Sequence, residues 1–166
     1  MTIAAITFYS LVLFVHVAAV VMAFGVLFTY PLIVPMTERT DPASLPQLYR
    51  LRVAIGQQIV TPLATLVLLA GIYLAIDGPY DFGEWWVGLG LLIIVVVLGI
   101  VGGFLTPNER RLAALAAREA APGTGGRPLS DEYREVSRRL AAGSGAAAAL
   151  VLVAIFVMVM GSRGYL

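Results

Sequence analysis

The sequence predicts an all-α polytopic membrane protein, a single bundle of four transmembrane helices over residues 1–166 with a helical connection between the third and fourth. Three observations carry that expectation. Apolar runs at about 3–30, 53–76, 85–105 and 140–160 are each long enough to cross a bilayer, since a helix rising ~1.5 Å per residue needs roughly 20 residues to do so. Hydrophobic residues make up 60% of the chain and charged residues only 13%, too little polar material to coat a water-soluble core of this size. The charges fall almost entirely in the connections. With the length spent on four spans, no second folded domain fits.

The first run opens with Met1-Thr2-Ile3-Ala4, without a basic segment or a small-residue cleavage site, and reads as a retained span. The first connection and its margins carry Arg39, Arg50 and Arg52, and the third carries Arg110, Arg111, Arg118, Arg127, Arg134, Arg138 and Arg139. The other side has Arg163 beside Asp77, Asp81 and Glu84. By the positive-inside rule the first and third connections are cytoplasmic and both termini lie outside. Tyr9, Tyr80, Phe82, Trp85, Trp86 and Tyr165 are expected at the outer interface, and Tyr30, Tyr49 and Phe104 at the inner one,.

Pro31, Pro35, Pro42 and Pro46 punctuate the first connection, where Asp41-Pro42 and Ser44 suit a turn into a helix starting near Leu45 or Pro46,. Thr106-Pro107-Asn108-Glu109 has the form of a capping box that starts a new helix,. Its Leu112, Leu115 and Ala116 form an apolar stripe that suits either a position along the headgroups or a solvated helix,. Residues 122–128 read as a flexible linker, after which Ser130 caps the helix that runs into the fourth span,.

Polar groups inside the spans are the candidate site, because hydrocarbon penalises them. His16, the single histidine, falls near the middle of the first span. Arg50, Gln57, Thr61 and Thr65 are spaced by seven, four and four and share a helix face, with Thr61 and Thr65 expected at the depth of His16. Gln58 lies beside that stripe, and Pro62 removes a backbone donor,. Two readings are open: His16, Gln57, Gln58, Thr61 and Thr65 either hold helices together or line a small polar site reached near Arg50 and Arg52. Ala18 with Gly25, Gly99 with Gly103, and Gly145 with Ala149 read as close helix contacts inside the bundle, with a homodimer seam as the alternative,.

Chemistry is mostly excluded. Cysteine and lysine are absent, which removes thiolate and amine nucleophiles. No intramembrane carboxylate pair, His-Glu-x-x-His pattern or serine triad occurs, so a non-enzymatic protein without a cofactor is expected. A haem b or copper site with His16 as ligand is the alternative, which one histidine completes only across a dimer or with a donor such as Met22,. Arg50, Arg52, Arg110, Arg111, Arg138 and Arg139 are candidate contacts for anionic lipid headgroups or a membrane-protein partner,. No nucleic-acid partner is expected.

The ordered set Leu13-Phe14-Val15-His16-Val17 with Gly25, Asp41-Pro42, Thr61-Pro62 with Gly71, Trp85-Trp86 with Gly88, Pro107-Asn108-Glu109-Arg110-Arg111-Leu112, Glu132-Tyr133-Arg134 and Ser137-Arg138-Arg139 resembles the bacterial four-helix membrane family catalogued as domain of unknown function 2269. That resemblance implies a four-helix bundle in the bacterial cytoplasmic membrane. The first span alone is similar to the copper-resistance D group, which implies metal or haem handling through His16. The two functional expectations are a small-solute or ion binding or transport module, and a scaffold that uses its arginine-rich connection.

Overall fold

Four long helical rods account for nearly every residue of the computed structural model, which describes residues 7–78, 83–119 and 129–164. All four are long and apolar enough to cross a membrane. Rod one joins α1 (Phe8–Phe24), a 3-10 turn (Gly25–Phe28) and α2 (Tyr30–Thr40). Rod two joins α3 (Leu45–Ile55), a π turn (Gly56–Val60) and α4 (Thr61–Asp77). Rod three joins α5 (Trp85–Gly99), a π turn (Ile100–Leu105) and α6 (Thr106–Glu119), and rod four is α7 (Asp131–Gly161). No strand occurs among the described residues. Residues 122–128, together with Tyr80, Phe82 and Tyr165, lie outside the described residues.

Helix starts follow local chemistry at several points. Ser130 Oγ accepts from the Tyr133 amide at 3.1 Å, the expected cap of α7. Asp41 accepts from the Ser44 hydroxyl, and α3 starts at Leu45 as its turn residues imply. Elsewhere the rods outrun the sequence expectation. Pro31 stands in the first turn of α2, where its missing amide costs nothing,, so the first helix continues through Pro35 to Thr40 instead of ending near Tyr30. Thr106 is likewise not a helix start. Its amide and its Oγ1, the latter at 2.9 Å, both donate to Val101 O, carrying the helix through Pro107 without a break.

The same device occurs in rod two, where the Thr61 amide and its Oγ1 (2.8 Å) donate to Gly56 O ahead of Pro62. Each proline lacks an amide, and the rod absorbs the disturbance as one wide turn instead of a break.

Packing makes a ring. Rod one meets rod two through α1 and α4; rod two meets rod three through α3 and α6 and through α4 and α5; rod three meets rod four through α5 and α7. The ring closes at the arginine-rich end, where α2 and the Gly25–Phe28 turn reach α7. Towards the opposite end, marked by Trp86, α1 and α7 barely meet. The apolar stripe of α6 is buried against α3: Leu112 and Ala116 are fully enclosed, so it lies neither along headgroups nor in water.

The small-residue pairs do not make the bundle contacts expected of them. Gly25, Gly99, Gly103 and Gly145 would meet nothing within 4 Å if they carried a Cβ. Close approach falls to other glycines. A Cβ on Gly71 would stand 3.2 Å from His16 Cε1, and one on Gly161 would stand 2.4 Å from the Trp86 ring.

Candidate functional site: an apolar cavity and a buried polar lock

A cavity of about 470 Å³ opens inside the ring between α1, α4, α5 and α7. Its walls are almost wholly apolar. His16 contributes from the middle of α1, Gly71 from α4, Trp86 and Gly90 from α5, and Ala154 and Met158 from α7. The gap between α1 and α7 supplies its mouth, since Leu13, Val17 and Val21 on one side and Ile155 and Val159 on the other line the cavity and are also exposed. In a bilayer that mouth faces lipid tails.

His16 is the polar feature of the wall's middle. Its Nδ1 is buried with no hydrogen-bond partner, although the Val67 backbone lies near the ring. The half-buried ring lines the cavity, and an imidazole nitrogen left without a partner is able to meet a ligand. The ring fits because residue 71 is glycine; the 3.2 Å approach leaves no slack for a side chain.

Gln57, Gln58, Thr61 and Thr65 do not join His16. All four are exposed on the outside of rod two, and both threonines donate to their own helix, Thr65 to Thr61 O at 2.9 Å. The face that rod two turns inward here is instead Val60, Ala64, Val67 and Leu74. Met22, the suggested second metal donor, is exposed and away from the cavity wall, whereas Met158 lines it. Among the described residues no three His, Cys, Asp or Glu side chains gather in a metal-holding group.

The second feature lies at the arginine-rich end. Arg52 is buried (4% exposed), not free for headgroups. Its Nε donates to Glu109 Oε1 at 3.1 Å with Nη2 at 2.9 Å from the same oxygen, and its guanidinium carbon stacks 3.8 Å from the Tyr30 ring centroid. Glu109 is equally buried. It is therefore an ion-pair partner and not the acid of a capping box. Beside this pair the Tyr49 and Tyr133 hydroxyls are 3.0 Å apart, and Tyr133 donates to Glu38 Oε1 at 2.9 Å. Tyr30 and Glu38 come from α2, Tyr49 and Arg52 from α3, Glu109 from α6 and Tyr133 from α7. All four rods are tied at this end.

Tyr133→Phe should lower stability by about 1–2 kcal/mol, because the half-buried Glu38 and the buried Tyr49 oxygens lose a partner,; unfolding in mixed micelles measures it, and no change would mean water reaches them.

The remaining arginines divide. Arg111 pairs with Glu132 at 2.6 Å, and Arg138 and Arg139 share Glu135. Arg50 and Arg110 are exposed and have no ion pair among the described residues.

With four membrane-spanning rods and their order established, comparison with known families is informative. A family model described as a predicted integral membrane protein matches residues 10–163. The chain belongs to the domain of unknown function 2269 family. The match covers the ion pair, both Thr-Pro turns and the cavity lining apart from Tyr9. No curated protein and no solved structure matches the chain.

Proposed function

We propose that this protein is a non-enzymatic binding or transport module for an apolar molecule that carries one polar group, taken from the bilayer through the gap between α1 and α7. The observation that carries this reading is the cavity of about 470 Å³ with the His16 imidazole, whose buried Nδ1 has no hydrogen-bond partner, in an almost wholly apolar wall. Binding sites for small molecules commonly combine an apolar lining with a few placed polar groups. Beside His16 a hydrated ion would find only Tyr9 and Ser162 among the lining residues to replace its water, so the cavity's chemistry favours an amphiphile over an ion. The arginine-rich end faces the cytoplasm in this proposal, since arginines concentrate there,. Arg50 and Arg110, exposed and without an ion pair among the described residues, are its contacts with anionic headgroups,.

Trp86 lines the cavity and is buried, whereas Trp85 is exposed, so Trp85→Phe leaves one tryptophan to report on cavity contents. Titrating that variant in vesicles with bromododecanoic acid should quench Trp86 saturably, and bromododecane should quench it about tenfold less tightly, as one lost hydrogen bond implies. Adding His16→Phe should erase that difference, and adding Ala154→Phe should block quenching by filling the cavity. Quenching that never saturates, or that survives Ala154→Phe unchanged, would reject the cavity as a binding site.

A further inference from the structure

The two ends of the cavity differ chemically. His16 packs against Gly71, and Ala75, one turn further along α4, packs with Trp86 and Val87 of α5. One turn along α5 from Trp86, towards the arginine-rich end, is Gly90, against which the Met158 thioether lies. His16, Gly71, Gly90 and Met158 therefore form a collar at one level of the bundle. On the side of the collar away from the arginine-rich end stand Tyr9, Trp86 and Ser162, each with a polar atom. On the other side every lining side chain is a hydrocarbon, down to a floor of buried Phe24, Val97 and Val151. The ring closes just beyond that floor, where the Gly25–Phe28 turn reaches α7.

The depth below the collar agrees on three helices. His16 to Phe24 is eight residues, Gly90 to Val97 seven and Met158 to Val151 seven, roughly 10–12 Å at the rise of a helix. An extended alkyl chain advances about 1.25 Å per carbon, the projection of a ~1.5 Å bond, so about eight to ten carbons reach from collar to floor. Width is limited as well. The lining runs from Tyr9 to Phe24 on α1 and from Trp86 to Val97 on α5, a length of roughly 16–22 Å. Spread over that length, the volume of about 470 Å³ leaves a mean cross-section of roughly 20–30 Å², and with packed carbons ~4 Å apart this holds one extended chain and not two side by side.

We infer that the occupant is a single-chain amphiphile, a straight alkyl chain of about ten carbons ending in one hydrogen-bonding group, inserted tail first towards the arginine-rich end. The inference rests on the binding role proposed above and adds the ligand's orientation and chain length. The tail goes inward because a polar end set among Phe24, Val97 and Val151 would have no partner, whereas at the collar the imidazole supplies one. A second chain, as in a phospholipid, finds no room. A chain much longer than the floor allows lifts its polar group past the imidazole and forfeits that hydrogen bond.

Trp86 stands four residues from the collar on its polar side, so in the Trp85→Phe chain in phosphatidylcholine vesicles it reports which end of a ligand lies near. At saturation 2-bromodecanoic acid should quench it, and 10-bromodecanoic acid, with its bromine at the floor, should quench it little. Competition by unbrominated acids from octanoic to hexadecanoic gives the length dependence, each affinity being referred to mole fraction in the bilayer because longer chains also partition better. Adding His16→Phe should weaken decanoic acid about tenfold, as one lost hydrogen bond implies, and should leave hexadecanoic acid unchanged. Phe24→Ala lowers the floor and should extend the His16 dependence to longer chains, with circular dichroism confirming that this variant folds; the two bromine positions test the orientation in the Trp85→Phe chain without it. Stronger quenching by the terminal bromine, or a His16→Phe effect equal from octanoic to hexadecanoic acid, would overturn the inference while leaving the cavity a binding site. Quenching that never saturates would instead reject the binding role itself, and the inference with it.

Discussion

Replacing Arg52 with methionine should destabilise the folded bundle by about 3–5 kcal/mol, the cost of leaving a buried partner charge uncompensated. Glu109 is 5% exposed and its ion-pair partner is Arg52, so the single variant strands a carboxylate among Tyr30, α3 and α6. Glu109→Leu should cost a similar amount for the opposite reason, a guanidinium left over the Tyr30 ring with no acid. The double variant Arg52→Met/Glu109→Leu should recover most of the loss, because desolvating two charges offsets much of what their attraction returns. Unfolding each variant in mixed micelles, with tryptophan fluorescence and circular dichroism as independent probes, gives the three values. Single variants that each cost under about 1 kcal/mol would put the pair in the range of solvated salt bridges and would sink the description of a buried lock.

The spans were legible because apolar density over about 20 residues leaves a soluble chain little else to be. Their ends were not. Proline at 31 and 107 reads as punctuation, yet in the folded chain each occupies the first turn of a segment joined to the preceding one by a 3-10 or π turn. Whether a Thr-Pro step breaks a rod or widens it depends on what packs around it, which local sequence does not encode. The same holds for the candidate site. His16 does face the second rod, but it meets Gly71 and the Val67 backbone in place of Thr61 and Thr65. The threonines sit one residue out of phase with Val60, Ala64 and Val67, and one residue is about 100° of helix rotation. Apolar residues win the inward face because a threonine hydroxyl can be satisfied by its own helix.

The ion pair was written in the sequence more plainly than the cavity was. Glu109, Leu112, Ala113 and Ala116 recur at the spacing of one helix stripe, and so do Leu45, Tyr49 and Arg52,. A charge on each of two apolar stripes implies a partner of opposite sign, and these two find one another. Reading Glu109 as a capping acid hid that match. The cavity could not be read in the same way, because it arises where α1 and α7 fail to meet, a property of the ring and of no single helix.

Trp86→Ala should be the second large effect, about 3–5 kcal/mol, as expected when a buried aromatic is cut back to a methyl group. Trp86 is 5% exposed and packs with Ala75, Val87 and Val157 in a cluster separate from the main core. Its ring lies over Gly161, where a Cβ would stand 2.4 Å from two ring carbons. The indole is rigid, so Gly161→Val alone should cost about 1–3 kcal/mol through overpacking. Combined with Trp86→Ala, the valine enters vacated space, and the double variant should be clearly more stable than the two separate losses predict. Such coupling is expected only for side chains that share one site. Strict additivity would mean that α5 and α7 do not meet there. Coupling would make this contact the hinge side of the cavity: with the arginine-rich end tied by Arg52, Glu109 and Tyr133, the Trp86–Gly161 contact sets how far α7 stands from α1. Trp86→Ala should therefore also admit bulkier amphiphiles, read as tighter binding of a branched over a straight chain.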